Sequence, residues 1–256
     1  MQKMSSLNRG LEIMEYIILN RCASVTEISQ VFKIDKSTAS RILTVLAEHN
    51  LVCKAGNTMK YYPSIGTLLF SSRTMANYQI LDEVHPILRR LADAVDMTAQ
   101  VCVLKKDRVC LLDQVKSRSN RFLKEPALPG MAEPLHCSAI GKCVMAYMPS
   151  DEYDTLMETY ELRRYTDATI TDRTSLEREL VSIRAAGYAL DRGELADNLY
   201  CIAVPIMDRN GTITFSLGVS GKKEFLENEV LFETILRETK KAANQISQKY
   251  LASDMI

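Results

Sequence analysis

No stretch of the sequence approaches the roughly 18 to 20 consecutive apolar residues that cross a bilayer, and the opening MQKMSSLNRG is too polar for the apolar core of a secretory signal. An unanchored, cytoplasmic protein with no membrane partner is expected. There is no Cys-x-x-Cys pair among the seven cysteines, whose odd number and irregular spacing point to reduced thiols rather than to a disulfide framework. Net charge is missing too, since 32 Lys and Arg balance 32 Asp and Glu. The protein as a whole is therefore no polycation. The balance is uneven along the chain: residues 1–63 hold eight basic residues against five acidic ones, so this part is +3 and the remainder −3. That polarity is compatible with nucleic-acid binding without establishing it. Neither an internal repeat nor a low-complexity segment is present, and 256 residues suffice for one large or two small domains.

The stretch Asp35 to Asn50, DKSTASRILTVLAEHN, organises the rest. As a helix it places Ala39, Ile42, Leu43 and Leu46 on one apolar stripe. Lys36, Ser37, Ser40, Arg41 and Thr44 then share the opposite face, which is short, hydroxyl-rich and cationic. Asp35 is a good N-cap, so the helix starts at Lys36 and presents its N-terminal N–H groups near Ser37 and Thr38, an end suited to a phosphate. Upstream, Ser24-Val25-Thr26-Glu27 has the form of a capping box opening a short helix with Ile28, Val31 and Phe32 at helical spacing. Lys33-Ile34-Asp35 leaves only a tight turn between the two, the pattern of a helix-turn-helix. Downstream, Leu51–Lys54 and Met59–Pro63 read as strands around a Gly-Asn turn, a wing. A first helix, capped by Ser5 or Ser6, closes this core with Leu7, Leu11, Met14 and Ile18, widened by Ile13 and Ile17. After the wing, residues 65–78 read as a linker helix whose Leu69, Phe70 and Met75 need a partner.

Beyond Tyr78 the pattern changes. An amphipathic helix over residues 80–95 leads into short strands over 98–104, 109–115 and 121–124, whose tight connections make them antiparallel neighbours. A breaker-rich loop over residues 125–134 carries the chain to a helix starting near Ser138. Helices follow over 150–158 and 174–186, the latter closed by Gly187. Strands resume at 188–191, 201–207 and 212–219, the last two joined at Asn210-Gly211, and a helix over 227–250 ends the chain. The fold class is α+β.

These blocks resemble the IclR family of bacterial transcriptional regulators. LNRGLEIMEYI, SVTEISQVFKIDKSTASRILTVLAEHNLV and KYYPS are similar to its winged helix-turn-helix, and PLHCSAIGK (Pro134 to Lys142) and GYALDRGELADNLYCIAVPI (Gly187 to Ile206) to its effector domain. The latter shows the family's spacing at Gly187, Asp191, Glu194 and Cys201. The resemblance implies a winged helix-turn-helix DNA-binding domain over residues 1–64, a linker and dimerisation helix over 65–78, and a GAF-like effector-binding domain with an antiparallel sheet over 79–256. It also implies a homodimer or dimer of dimers on a palindromic double-stranded DNA operator, released or recruited by a small organic acid. The family's effector pocket falls on the N–H groups of Ala139 and Ile140, on Asp191, Leu199 and Cys201, and on Gly218 and Ser220. Gly218 stands where related proteins often have Ser, which removes a donor and makes room. Glu125 and Glu133 flank a loop that relatives often line with apolar or basic residues, so carboxylates are expected near the pocket mouth.

The function so implied is a ligand-responsive, sequence-specific DNA-binding regulator, a repressor of a catabolic operon, controlled by a sugar, keto or aromatic acid. Arg41 is the expected base reader, because its fork matches guanine O6 and N7. Lys36 and Lys60 are expected on phosphate, with Ser37, Ser40, Thr38 and Thr44 beside them. No cofactor or metal is expected. The competing reading is a metabolite-binding protein or a thiol-dependent enzyme whose N-terminal domain makes protein contacts, with Cys201 as nucleophile and His136 as base. Against it, Cys201 lies mid-strand rather than at a helix N-terminus, and no oxyanion loop adjoins it. His136, Cys137, Cys143 and Cys201 lack the close ligand spacing of a zinc site.

Overall fold

The computed structural model describes residues 6–56, 58–77, 79–118 and 127–252. The chain divides into two units, Met1–Gln79 and Ile80–Ile256, each with its own core.

In the first unit, α1 (Ser6–Leu19) leads to α2 (Val25–Val31) and α3 (Lys36–Glu48). The capping box at the start of α2 forms in full: Ser24 Oγ accepts from Glu27 N–H at 3.2 Å, and Glu27 Oε2 accepts from Ser24 N–H at 3.4 Å. Tyr16 Oη donates to Glu27 Oε1 at 2.9 Å and ties α1 to that cap. The turn into α3 closes through Ser29, whose hydroxyl donates to Ile34 O at 2.7 Å. Ile28, Ala39 and Leu43 are fully buried with Ile13 and Ile17 of α1. The α1 stripe differs from expectation: Met14 is buried with Ile13 and Ile17, while Leu7, Leu11 and Ile18 are exposed. α1 is apolar on more than one face, and the small core takes only the face carrying Ile13 and Ile17. The wing consists of β2 (Val52–Lys54) and β3 (Lys60–Pro63), joined by the two-residue strand β1 (Ala23–Ser24) in the order β1-β3-β2. β1 was not expected. α4 (Ile65–Asn77) follows and exposes Ile65, Leu68, Leu69 and Phe70.

The second unit is a six-stranded antiparallel sheet in the order β6-β5-β4-β9-β8-β7, formed by β4 (Thr98–Lys105), β5 (Arg108–Val115), β6 (Ala132–Pro134), β7 (Ala189–Arg192), β8 (Tyr200–Met207) and β9 (Ile213–Gly221). Period-two alternation divides its side chains between two cores. Ala99, Val101, Ile202, Val204, Leu217 and Val219 pack on α5 (Gln79–Val95) and on α10 (Glu229–Ala252) through Leu88, Leu91, Ile235 and Ile246. The opposite face packs on α6 (Ala139–Tyr147) and α8 (Arg173–Ala186). α7 (Ser150–Met157) and the short α9 (Glu224–Glu227) complete the unit. β6 lies where a loop was expected: it borrows its hydrogen bonds from β5, a pairing that local composition does not encode. The strand expected over residues 121–124, and Glu125, lie outside the described residues.

Candidate functional site

On α3, Lys36, Ser37, Arg41 and Thr44 are exposed and Thr38 and Ser40 half-buried, while Lys60 is exposed on β3. The N-cap alters the expected chemistry. The Asp35 carboxylate accepts from Thr38 N–H at 2.8 Å, from Thr38 Oγ1 at 2.7 Å and from the Ser37 hydroxyl. Those hydrogen bonds, from the two hydroxyls first, hold Asp35 well below the usual carboxylate range. The α3 N-terminus thus carries the chain's own anion, with the Thr38 N–H and two hydroxyl donors committed to it, which leaves this end less favourable for a phosphate. Thr44 Oγ1 likewise donates to Ser40 O at 2.9 Å. Lys36, Arg41 and Lys60 remain the cationic groups of this surface, and Lys54 stacks over the Tyr61 ring at 5.6 Å.

In the second unit, strand register builds a polar row inside an otherwise apolar face. Asp191 pairs with Cys201 and Cys201 with Ser220; one row along, Gly218 pairs with Gln100 and Gln100 with Gln114. Above them sits the N-terminus of α6, capped by Ser138, whose Oγ accepts from Gly141 N–H at 3.1 Å and donates to Pro134 O at 2.9 Å. The first N–H groups of a helix have no intrahelical acceptor, so Ala139 and Ile140 present theirs and the positive end of the dipole. Between helix and sheet lies a cavity of about 220 Å³. All seven positions expected around an effector, Ala139, Ile140, Asp191, Leu199, Cys201, Gly218 and Ser220, line it. Gly141 allows the close approach, because a Cβ there would sit 2.4 Å from Leu135 O and 2.5 Å from its Cα. Gly218 does not make room for a ligand as expected. The space a side chain would take belongs to Ile140, whose Cδ1 and Cγ1 lie 2.9 Å from a Cβ built at that glycine.

The remaining walls include Gln100, Gln114, Met131, Glu133 and Leu195. Gln114 Nε2 donates to Gln100 Oε1 at 3.0 Å, and Gln114 Oε1 accepts from Ala127 N–H at 3.2 Å. Asp191 is fully buried; its Oδ1 accepts from Glu194 N–H at 2.6 Å and its Oδ2 has no partner. Burial pushes its pKa up to about 7, against the pull of the Glu194 N–H. Burial also raises Glu133. The ammonium of Lys142, itself fully buried, is held at 2.5 Å by Glu194 and 3.1 Å by Glu179. The Cys201 thiol, 3.3 Å from Ser220 Oγ, is pushed well above its ordinary value by burial first and then by Asp191. A nucleophilic thiolate needs the opposite shift. His136 is equally unsuited to serve Cys201: its ring nitrogens face Tyr160 Oη at 3.0 Å and Arg163 O at 2.9 Å, and burial lowers its pKa. Among the described residues no cluster of three or more His, Cys, Asp or Glu is placed to hold a metal ion.

Two family models match this chain. The IclR helix-turn-helix domain covers residues 6–55, and the bacterial transcriptional regulator IclR C-terminal domain covers residues 72–248. The chain belongs to the IclR family. Among IclR-family relatives, the HTH-type transcriptional regulator BhcR of Paracoccus denitrificans is 32% identical over 84% of this chain and 77% of its own. The transcriptional repressor IclR of Escherichia coli is 28% identical over 86% and 80%. The solved IclR of Thermotoga maritima superposes with a TM-score of 0.70 at 28% identity, covering 98% of this chain and 100% of that one. An IclR homologue of Microbacterium hydrocarbonoxydans complexed with 4-hydroxybenzoate shares the fold, with a TM-score of 0.79 at 22% identity over 97% and 100%. An IclR-family protein of this organisation is a DNA-binding transcriptional regulator with a ligand-binding C-terminal domain, not an enzyme.

Proposed function

We propose that this IclR-family regulator is a cytoplasmic repressor of a catabolic operon, with residues 1–64 binding DNA, 65–78 linking and dimerising, and 79–256 binding a small organic acid in the cavity under α6. The observation that carries the ligand half is the convergence of Ala139, Ile140, Asp191, Leu199, Cys201, Gly218 and Ser220 on one cavity. A carboxylate seats on the Ala139 and Ile140 N–H groups, where the helix dipole favours negative charge. The 4-hydroxybenzoate held by one structural neighbour is an acid of the class this supports. For DNA, Arg41 reads a base edge, Lys36 and Lys60 meet phosphate, and Ser40 lies beside them. Ser37, Thr38 and Thr44 contribute surface more than donors, their hydroxyls being engaged within the helix. Exposed Leu7, Leu11 and Ile18 on α1 and Leu68, Leu69 and Phe70 on α4 favour a homodimer, or a dimer of dimers, matched to a palindromic operator. Effector and operator are coupled by linkage: an acid that binds one arrangement of the dimer better changes DNA affinity by that difference. The test is a gel-shift titration of the full chain against its own upstream DNA with and without sugar, keto and aromatic acids. A specific complex that one acid weakens supports the reading; a specific complex that no acid changes would remove the effector role.

A further inference from the structure

An ion cluster lies beside the cavity without lining it. Lys142 sits on α6 one turn beyond Ala139, is fully buried, and donates to Glu194 Oε1 at 2.5 Å and to Glu179 Oε1 at 3.1 Å. Neither Lys142 nor Glu194 lines the cavity, yet each adjoins residues that do. Ala139 and Ile140 form the helical wall; Asp191, Leu195 and Leu199 form another, along the segment that joins β7 to β8. In that segment the Glu194 N–H donates to Asp191 Oδ1 at 2.6 Å, its carbonyl accepts from Thr169 Oγ1 at 2.7 Å, and its carboxyl accepts from Lys142. Gly193 N–H donates to Leu199 O at 3.1 Å and closes the segment into a loop. Burial raises the Glu194 pKa against the pull of Lys142. A proton on the unpartnered Oε2 still leaves Oε1 an acceptor, so the Lys142 link persists in either form. Burying an ammonium is costly, and apolar side chains of similar volume often serve stability as well or better. Stability alone does not account for Lys142 at this depth.

Resting on the reading of this cavity as the effector site, we propose that Lys142 is a positioning residue for effector binding: through Glu194 it fixes Asp191, Leu195 and Leu199 relative to the Ala139 and Ile140 N–H groups. The chain of contacts is short. Lys142 moves with the helix whose first turn seats the acid, and the Glu194 N–H holds the Asp191 carboxyl. Without the Lys142 link the 193–199 segment keeps its Thr166 and Thr169 anchors but loses this side-chain tie to α6. The acid then meets two walls whose separation is not set in advance, and part of its binding energy goes into ordering them. Lys142 touches no ligand atom in this role.

The experiment is isothermal titration calorimetry of the full chain with 4-hydroxybenzoate, pyruvate and gluconate, an aromatic, a keto and a sugar acid. It compares wild type with Lys142→Met, Glu194→Met, Glu194→Gln and Leu88→Ala. Leu88 is buried in the core on the other face of the sheet, so its truncation lowers stability without removing a contact of the Lys142 cluster. Melting temperatures place all variants on one stability scale. Lys142→Met and Glu194→Met bind the acid that wild type binds about tenfold or more weakly, beyond any loss in Leu88→Ala. Glu194→Gln, which keeps an acceptor for Lys142, recovers most of what Glu194→Met loses. Hydrogen exchange of the ligand-free Lys142→Met chain shows the Gly193 and Leu199 amides opening about tenfold or more faster, relative to the β4 and β9 amides, than in wild type. An affinity loss that tracks melting temperature as in Leu88→Ala, or 193–199 amides that loosen no more than the sheet, overturns the inference while leaving the effector site standing. If Lys142→Met does not fold, the Glu194→Met and Glu194→Gln pair decides. If no acid binds wild type at millimolar concentration, the effector reading fails, and the inference with it.

Discussion

Asp191→Asn should make the protein more stable at neutral pH while weakening its response to ligand. Asp191 is fully buried, with one oxygen bonded to Glu194 N–H and the other unpartnered. Its pKa is raised from 3.8 to about 7, so the folded chain favours the protonated form and the unfolded chain the ionised one. Below its ordinary value both states are protonated and the group is neutral to stability. As pH rises from about 4 to 7 only the unfolded chain releases the proton, and wild type loses stability; above 7 the loss is constant. At about 1.4 kcal/mol per unit the full shift corresponds to about 4 kcal/mol. Asparagine keeps the acceptor for Glu194 N–H and cannot ionise, so even half that figure, about 2 kcal/mol, raises the melting temperature by about 4–8 °C at pH 8 in a chain of this size. Calorimetric melting of both full chains between about pH 5 and 8.5 reads the difference. The gap should open with pH and level off above 7. The gap reports Asp191 together with the groups coupled to it, Glu194 and Lys142 among them. A gap of zero, or one independent of pH, would refute the placement of an unpaired carboxyl in this cavity.

Other outcomes follow from the same geometry. Arg41→Ala should abolish specific operator binding in a gel shift, leaving non-specific binding and the melting temperature near wild type, because its side chain is exposed and serves the DNA surface; retained specificity would remove Arg41 from the interface. Lys36→Ala and Lys60→Ala should each weaken binding across all sequences and lower the slope of log affinity against log salt by about one, read by fluorescence anisotropy. Gly141→Ala should destabilise the second unit by about 3 kcal/mol, since its methyl meets the Leu135 backbone at 2.4 Å rather than a movable side chain; calorimetric melting checks it. Gly218→Ser should be milder, displacing the flexible Ile140 side chain into the cavity and reducing ligand affinity more than stability, as titration calorimetry and melting together would show.

Local chemistry explains which parts of the fold were legible. The capping box at Ser24 and Glu27 and the Asp35 cap are short-range hydrogen bonds encoded within four residues, so the starts of α2 and α3 read directly from the sequence. β1 and β6 have no such local signal. Each is two or three residues long and exists because β3 or β5 lies alongside to complete its hydrogen bonds. The face of α1 was ambiguous for another reason: Leu7, Leu11 and Ile18 keep helical spacing as well as Ile13 and Ile17 do. Periodicity identifies an amphipathic helix but does not choose between two apolar faces when the core takes only one.

The cavity was legible in its motif positions and illegible in its walls. Asp191 and Cys201 carry a family spacing, and strand pairing brings them side by side. Gln100, Gln114 and Glu133 carry no motif, yet a physical signal marks the two glutamines. In β4 and β5 the residues around them alternate into two apolar cores, and a buried amide or carboxyl at such a position requires a hydrogen-bond partner. Gln100 and Gln114 find one in each other across the ladder, whereas Asp191 keeps one oxygen unpaired. Polar residues that interrupt an inward-facing strand register therefore identify where a sheet holds something other than its own side chains, and those left unsatisfied show which chemical group is missing. In this protein the unsatisfied polar atom in the cavity is Asp191 Oδ2.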